Sequence, residues 1–347
     1  MTVPRCLPPS VAERLWRHSE TRIVVLDEIR VAFLPIPKSG CTSMLWTLAG
    51  LAGLGPDDFA GSTQAEVTRA MAVHDMTRWS PRHRWHELSA ERRAEILGAE
   101  DWLRFTIVRD PAARLWSAWQ SKALLAEPRF VERFGSAPWF PRGVSDADRL
   151  VGAFRTFVAA LDTDPERAPH DAHWGSQTGL LGGFAPTYVG RAEAPEASLD
   201  RLRDHLVAQG VDPDVLATDV PRENENPIGF HPGVYDEPAG VALARIFADD
   251  LAAWPPAERS AAADYDRWAL HAEQQLPLVA ALVERHQRIA ELLAAHARAI
   301  RRAERAELAE ADLRASRSWR VTAPLREVQG RLSSARSRVA IDRKRNM

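Results

Sequence analysis

Blocks of apolar and polar residues near the start of the chain predict two strand–loop–helix units. Residues 22–36, RIVVLDEIRVAFLPI, contain two apolar runs separated by Asp27 and Glu28, a pattern that predicts a β-hairpin. TSMLWTLAGLAGLG follows with helical length and ends in glycines. Residues 102–111, WLRFTIVRDP, predict another strand, and AARLWSAWQSKALL behind it has helical apolar spacing. Two such units imply parallel strands joined by helical crossovers, with ligands beyond the carboxyl ends of the strands.

The rest of the chain is predicted to be mainly helical. Helices are expected at about residues 63–74, 88–98, 148–161, 198–210 and 239–253. Residues 126–147 carry Pro, Gly and aromatic residues without a clear period, which predicts a loop-rich insertion. TYVGRAE at 187–193 predicts one more short strand.

After about residue 270 the composition changes to Ala, Arg, Glu and Leu, which predicts a long helix. Residues 314–347 hold ten Lys or Arg against two acids, so the chain ends in a basic tail. The tail has one plain interpretation, a solvated helix with a disordered end, and two alternatives, docking on a partner helix and attraction to an anionic membrane surface. The chain is expected to divide into four parts: an irregular N-terminus at 1–20, a main domain at 21–270, a long helix that is a candidate coiled coil at 271–330, and the basic tail at 331–347.

Composition narrows the class of protein. The 347 residues are 45% hydrophobic, enough for a sizeable core, and the formal charge of −2 provides no overall attraction to nucleic acid, so no nucleic-acid partner is expected. The two cysteines, Cys6 and Cys41, suit neither a disulfide framework nor a zinc site, which favours a reducing compartment. No apolar run has the length of a signal peptide core or a membrane span.

The loop after the hairpin, PKSGCTS, has the chemistry of an anion site. Such a turn offers backbone N–H groups at a helix N-terminus, hydroxyl groups and one ammonium group. In a Walker phosphate loop the lysine follows the glycines, whereas here Lys38 precedes Gly40. Thr42 and Ser43 suit phosphate binding and helix capping equally well. The candidate ligand-binding residues of the loop are Lys38, Ser39, Gly40, Cys41, Thr42 and Ser43.

The second unit, FTIVRDPAARLWSAWQSK, supplies a second candidate anion site. Arg109 leaves the strand end, and Ser117 lies eight residues later, about two helical turns on, so both can face one anionic group. Asp110 and Pro111 fix the turn between them. Arg114 lies nearer to Arg109 along the chain than Ser117 does, and it has two alternative roles: pairing with an acid or holding the helix.

Together, these two motifs resemble those of sulfotransferases that use 3′-phosphoadenosine 5′-phosphosulfate, particularly the Golgi carbohydrate sulfotransferases (sulfotransferase family 2) and their bacterial relatives. PKSGCTSM is similar to their 5′-phosphosulfate loop, and IVRDPAARLWSAWQSK is similar to their 3′-phosphate motif, including the Arg-to-Ser spacing. HWGSQTGLL, VGRAEAPEASLDRLRDHL and RIFADDLAAW extend the resemblance over roughly residues 28–254. SRSWRVTAPLR, at 316–326, is similar to a short motif at the ends of bacterial cell-surface polysaccharide enzymes.

The resemblance implies an α/β fold with a P-loop NTPase-like central parallel sheet flanked by helices, to which the long C-terminal helix is added. It implies that Lys38 and the loop amides meet the leaving phosphosulfate, while Arg109 and Ser117 hold the ribose 3′-phosphate, with no metal required. Arg191, in the G-R-x-E segment, has two alternatives: gripping the 3′-phosphate or closing a turn.

Proton transfer requires a base, and family members use a His or Glu between the two motifs. His74, with Asp75 beside it, is preferred over His83, His86 and Glu87. The main competitor is His173, which is also a candidate acceptor-site or structural residue.

The expected activity is sulfuryl transfer to a hydroxyl of a carbohydrate or glycolipid. Candidate sugar-stacking residues are Trp79, Trp85, Trp139 and Trp174. A cytoplasmic bacterial enzyme is expected, with peripheral membrane contact through the basic tail and homodimerisation through the long helix as further expectations. Two alternatives stay open at this point: a P-loop kinase using ATP and a non-catalytic coiled-coil scaffold.

Overall fold

A computed structural model describes residues 9–62, 69–163, 171–216, 226–256 and 264–326. The described residues form a four-stranded sheet in the order β1-β2-β3-β4. The strands are β1 Val24–Leu26, β2 Val31–Leu34, β3 Leu103–Val108 and β4 Tyr188–Arg191. β1 is antiparallel to β2, whereas β2, β3 and β4 run parallel to one another. The predicted α/β class, a mostly parallel sheet with flanking helices and a long C-terminal helix, is confirmed.

Twelve helices are defined among the described residues. They are α1 Pro9–Glu20, α2 Cys41–Leu51, α3 Ala90–Gly98, α4 Pro111–Trp119, α5 Pro128–Phe134, α6 Ala147–Thr163, α7 Gln177–Leu181, α8 Pro195–Ala208, α9 Glu237–Ile246, α10 Ala248–Ala253, α11 Tyr265–Ala315 and α12 Arg317–Val321. Short 3₁₀ turns occupy most of residues 69–87, and a π-helical turn, Gln120–Leu124, extends α4.

The predicted hairpin is present. Val24 pairs with Phe33 and Leu26 with Val31, and a 3₁₀ turn connects the strands. Arg30 closes that turn at φ 52°, in the left-handed region. β2 then leads directly into the loop that contains Lys38, as the apolar pattern indicated.

The sheet is buried on both faces, as expected of parallel strands covered by helices. On one face Phe33 and Phe105 pack with α2 and α8, and on the other Ala32 and Leu34 pack with α1 and α7. A third apolar cluster joins α4, α6, α9 and the first part of α11, with Trp116, Trp119, Phe154 and Phe157 at its centre. This third cluster supports the helix that carries the second predicted anion motif.

Four predictions of local structure differ from what is observed. Residues 1–20 were expected to be irregular, but 9–20 form the amphipathic helix α1 with Val11 and Leu15 buried, because it packs against the segment that includes α7; residues 1–8 lie outside the described residues. The described part of the predicted helix at 63–74 is a 3₁₀ turn, and 63–68 lie outside the described residues. The insertion at 126–147 contains α5, and the long helix begins at Tyr265 rather than after 270.

The chain divides into two compact units after Ile289. The first contains the sheet and the start of α11, where Val279 and His286 are buried and His286 Nδ1 lies 2.5 Å from the carbonyl oxygen of Leu125. The second contains the remainder of α11 and α12, whose larger apolar side chains, such as Leu308 and Val321, are exposed. The predicted domain boundaries stay predictions, and the basic tail at 331–347 lies outside the described residues. No described helix combines the length and apolarity needed to cross a membrane.

Candidate functional site

The carboxyl ends of the three parallel strands bring the main predicted site residues to one edge of the sheet. Lys38 follows β2, Arg109 follows β3 and Arg191 is the last residue of β4. Ligands of open α/β sheets bind at this edge.

The loop before α2 has the backbone of an anion cradle. Lys38 has φ 68° and Gly40 has φ 78°, so both lie in the left-handed region. A non-glycine residue held there is strained, and such strain tends to occur at functional sites. Gly40 occupies the N-cap position of α2 and brings no side-chain acceptor to the first helical turn. The amides of that turn are therefore oriented for an external acceptor.

Arg114 fixes the position of this loop. Its side chain is completely buried and donates to the carbonyl oxygens of Pro37 at 2.9 Å, Gly175 at 2.7 Å and Ala172 at 2.9 Å. Burial lowers the pKa of this guanidinium to about 10, and the charge of Asp250 opposes that shift. Of the two roles predicted for Arg114, the contacts favour a structural one, because its three bonds are to main-chain carbonyls.

Gln177 connects the two predicted anion motifs. Its side-chain amide accepts from the backbone N–H of Arg109 at 2.9 Å and donates to the carbonyl oxygen of Arg109 at 2.8 Å. It also accepts from the Ser39 hydroxyl at 3.4 Å. Buried Asp250 holds α7 by accepting from the backbone N–H groups of Gln177 and Thr178 at 2.8 and 2.9 Å. Sequence reasoning singled out neither Gln177 nor Asp250, although the resemblance of HWGSQTGLL and RIFADDLAAW was a signal.

The second motif begins with a capped helix. Asp110 accepts from the N–H of Ala112 at 3.0 Å, and Pro111 is the first helical residue. The Arg109 guanidinium donates to the carbonyl oxygen of Lys38 at 3.3 Å, and its pKa is lowered by burial. Asn226 donates to the Ser117 hydroxyl oxygen at 2.8 Å. Because the asparagine acts as donor, the hydroxyl hydrogen of Ser117 stays available for an anion. Asn226 was not predicted from the sequence.

His74 contacts the anion loop directly. Its Nε2 lies 2.9 Å from Thr42 Oγ1. Asp75 is not its observed hydrogen-bond partner, contrary to the expected pairing, because Asp75 accepts from the Ser62 hydroxyl at 2.9 Å and from the N–H of Thr77 at 3.1 Å. Burial, together with the nearby charges of Arg22 and other cations, lowers the pKa of His74 to about 3. The imidazole is thus neutral at pH 7.

His173 is held by a carboxylate. Its Nδ1 lies 2.5 Å from Asp171 Oδ1, and Arg133 donates to the other carboxylate oxygen at 3.0 Å. Burial favours a higher pKa for Asp171, but the hydrogen bond from His173 and the neighbouring positive charges lower it. Burial lowers the pKa of His173, and Lys122 adds to that effect. No hydrogen bond joins the other ring nitrogen to the described residues.

Lys122 adds a second amine beside Lys38. It projects from the π-helical turn, is buried, forms an ion pair with Glu127 and lies 5.3 Å from the centre of the Phe130 ring. Burial lowers the pKa of Lys38 to about 7, and repulsion from Lys122 contributes to that shift. π-Helical turns occur frequently at functional sites.

The remaining candidates lie elsewhere or have other contacts. Arg191 donates to the carbonyl oxygens of Pro255 at 2.5 Å and Trp254 at 3.4 Å, so its role toward a nucleotide stays a prediction. The ring of buried His83 lies 2.9 Å from the carbonyl oxygen of Val25, and His86 is beside Glu87. Cys41 is a buried thiol whose pKa is raised by burial. The four tryptophans proposed for sugar stacking are buried in the interior, which argues against that role: Trp79, Trp85, Trp139 and Trp174.

Comparison with known proteins covers both anion motifs and both candidate bases of this site. A family model described as "Sulfotransferase family" matches residues 21–228, more than half of the chain. The match runs from just before β1 to just beyond Asn226. No curated protein and no solved structure matches the chain.

Proposed function

The chain belongs to the sulfotransferase family and is a sulfotransferase, and from this premise we propose 3′-phosphoadenosine 5′-phosphosulfate as its donor and a carbohydrate or glycolipid hydroxyl as its acceptor. Membership excludes the ATP-dependent kinase and the non-catalytic scaffold considered from the sequence. The observation that carries the proposal is the direct connection of the two anion motifs through Gln177 and through the Arg109–Lys38 hydrogen bond.

Two separate anion sites suit a donor that carries two separate anionic groups. The Lys38 loop would receive the 5′-phosphosulfate, with the ammonium near the bridging oxygen where negative charge develops. Arg109 and the free hydroxyl hydrogen of Ser117 would hold the ribose 3′-phosphate. A 3′-phosphate distinguishes this donor from ADP and ATP, so Arg109 should determine which nucleotide binds.

The reaction proceeds by attack of the acceptor hydroxyl oxygen on sulfur. The new O–S bond forms as the bond between sulfur and the bridging oxygen breaks, and adenosine 3′,5′-bisphosphate leaves. The hydroxyl proton passes to a base, for which His74 is proposed because it is neutral and contacts the loop. His173 is the alternative, since Asp171 orients its ring and leaves Nε2 free of described partners.

Calorimetry with adenosine 3′,5′-bisphosphate, and with ADP as the comparison ligand, tests the donor. Wild type should bind the bisphosphate selectively, and Arg109→Ala should lose about 1.5–3 kcal/mol of binding free energy, the range for a charge-assisted hydrogen bond. Arg17→Ala is the matched control, because Arg17 is an exposed arginine that pairs with Glu13. Equal affinity for both nucleotides, or no binding, would contradict the proposed donor.

The base is tested by His74→Gln and His173→Gln, each assayed with saturating donor. The variant that lacks the base should lose about 10²–10⁴-fold in kcat with nucleotide affinity retained, the usual contribution of general base catalysis. A loss confined to His173→Gln would transfer the role to His173, and full activity in both variants would contradict an imidazole base.

Location and assembly are separate proposals. We propose a cytoplasmic bacterial enzyme that contacts the membrane through its basic tail and dimerises through α11. The exposed apolar side chains of the second unit support dimerisation. Analytical ultracentrifugation of the full chain tests it, with a single monomeric species as the contrary result.

A further inference from the structure

The edge strand β1 brings an arginine to the donor edge of the sheet. Val24 pairs with Phe33, so the antiparallel register places Arg22 opposite Pro35, the residue that follows β2 and leads toward the Lys38 loop. The strand order β1-β2-β3 puts Arg22 on the β1 side of this loop and Arg109 on the β3 side. The two arginines therefore lie on opposite sides of Lys38.

Arg22 has hydrogen-bonding capacity that the described residues do not use. Its Nη1 donates to the carbonyl oxygen of His18 at 3.1 Å and approaches the Thr21 hydroxyl at 3.5 Å. In the described part of the chain, Nε and Nη2 have no hydrogen-bond partner and the guanidinium forms no ion pair. The residue is half-buried, and burial lowers its pKa while the charge of Asp171 opposes the shift. A partly desolvated guanidinium without a paired carboxylate is costly, and an arriving oxyanion would offset that cost.

His18 lies on the last turn of α1, beside Arg22. Its imidazole is half-buried and makes no hydrogen bond to any described residue. Burial, followed by the charge of Arg22, lowers its pKa to about 3, so the ring is neutral at pH 7 and one nitrogen is a donor. Two donor side chains on adjacent turns thus lie at the same end of α1.

The position of this pair is fixed by close packing. A Cβ atom on Gly175 would lie 2.6 Å from the Leu15 side chain, so α1 lies directly against the segment that contains His173. The negative charge of Asp171, which holds His173, raises the pKa of both Arg22 and His18 and partly offsets the effect of burial. The pair therefore borders the region between the loop and the two candidate bases.

We propose that Arg22 and His18 form an acceptor subsite that binds an oxyanion, a carboxylate or a phosphate, carried by the sugar that is sulfated. This inference rests on the proposed function. The donor's two anionic groups are already matched by the Lys38 loop, which follows β2, and by Arg109 with Ser117, which follow β3. A guanidinium binds a carboxylate or phosphate through two parallel hydrogen bonds, so Arg22 would orient the acceptor as well as attract it.

Three probes that share one sugar ring test the subsite: methyl β-glucuronide, glucose 6-phosphate and methyl β-glucoside. Sulfate transfer from radiolabelled donor gives kcat/KM for each. Wild type should prefer one oxyanion probe to the neutral glucoside by about ten- to a hundredfold, and the preferred probe identifies carboxylate or phosphate. Arg22→Gln should abolish this preference while retaining activity on the glucoside and affinity for adenosine 3′,5′-bisphosphate. Arg22→Lys should retain only part of the preference, because it keeps the charge without the two-pronged geometry.

Arg17→Gln is the matched control and should behave as wild type, because its side chain is 74% exposed and pairs with Glu13. The inference is overturned if wild type uses the glucoside as well as the oxyanion probes, if it uses no oxyanion probe, or if Arg22→Gln lowers activity on all probes equally. Failure of wild type to bind adenosine 3′,5′-bisphosphate would instead overturn the proposed function. Nucleotide binding without oxyanion preference overturns the subsite alone.

Discussion

Replacement of Arg114 by Met should destabilise the protein and loosen the donor loop together. The side chain is completely buried, and its three hydrogen bonds end on main-chain carbonyls that connect Pro37 to residues 172 and 175. Methionine has similar length and no donor, so all three carbonyls would lose their partner. An unsatisfied buried polar group costs about 1–3 kcal/mol, which gives about 3–9 kcal/mol before compensation.

Part of that cost is recovered, because the variant no longer buries a guanidinium whose pKa is already lowered to about 10. We therefore expect a net loss of about 3–5 kcal/mol in the free energy of unfolding, the range for removing one member of a buried charged network. Equilibrium urea denaturation followed by tryptophan fluorescence measures it. Arg114→Lys, which can keep one of the three bonds, should lose less, and Arg17→Met, at an exposed site, should lose almost nothing.

The same samples test the connection to function. Arg114→Met should bind adenosine 3′,5′-bisphosphate more weakly than wild type under conditions where both are folded, because the carbonyl of Pro37 is released next to Lys38. A loss of less than about 1 kcal/mol in stability, with unchanged nucleotide affinity, would refute the assignment of Arg114 as the residue that fixes the loop.

Other expected outcomes concern the donor site. Gln177→Leu should weaken adenosine 3′,5′-bisphosphate binding about tenfold, since Arg109 loses two backbone hydrogen bonds; calorimetry checks this, with exposed Gln287→Leu as control. Nucleotide affinity should fall by up to about tenfold per pH unit above pH 7, because Lys38 in the free protein has a pKa of about 7 and must then take up a proton to bind the anion. Lys38→Met should abolish this pH dependence, and a wild-type affinity that does not change with pH would contradict the prediction. Truncation after residue 289, where the first compact unit ends, should leave nucleotide binding within about twofold of the full chain, and its loss would show that the second unit supports the site.

The elements that were predicted correctly are those with local signals. Continuous apolar runs identify β2 and β3, and each is followed within a few residues by a charged residue at the strand end, Lys38 or Arg109. The ends of parallel strands lie at one edge of the sheet, so proximity of these two side chains follows from the topology. Helix α1 had no comparable signal, because its buried residues face α7, more than 150 residues later in the chain.

The supporting contacts of the site could not be derived from local patterns. Asn226 reaches Ser117 across 109 positions, and Gln177 reaches Arg109 across 68. Such pairs have no periodicity, and the resemblance of HWGSQTGLL indicated Gln177 alone. The tryptophans show a function predicted where the structure has core packing. From the sequence, a residue such as Trp174 is equally consistent with sugar stacking and with a buried core, and only the packing distinguishes the two.

The charge distribution explains why the site should depend on its ligands. Lys38 and His74 both have lowered pKa values, with burial as the largest cause and Lys122 among the contributing cations. Cations that repel one another in a partly desolvated site raise the free energy of the empty protein, and a donor with several negative charges relieves that repulsion. Binding should therefore raise the pKa of both groups, which would restore the ammonium of Lys38 for the leaving oxygen and make His74 a stronger base. The proposed chemistry thus becomes more favourable only after the donor has bound, which limits reactivity to the occupied site.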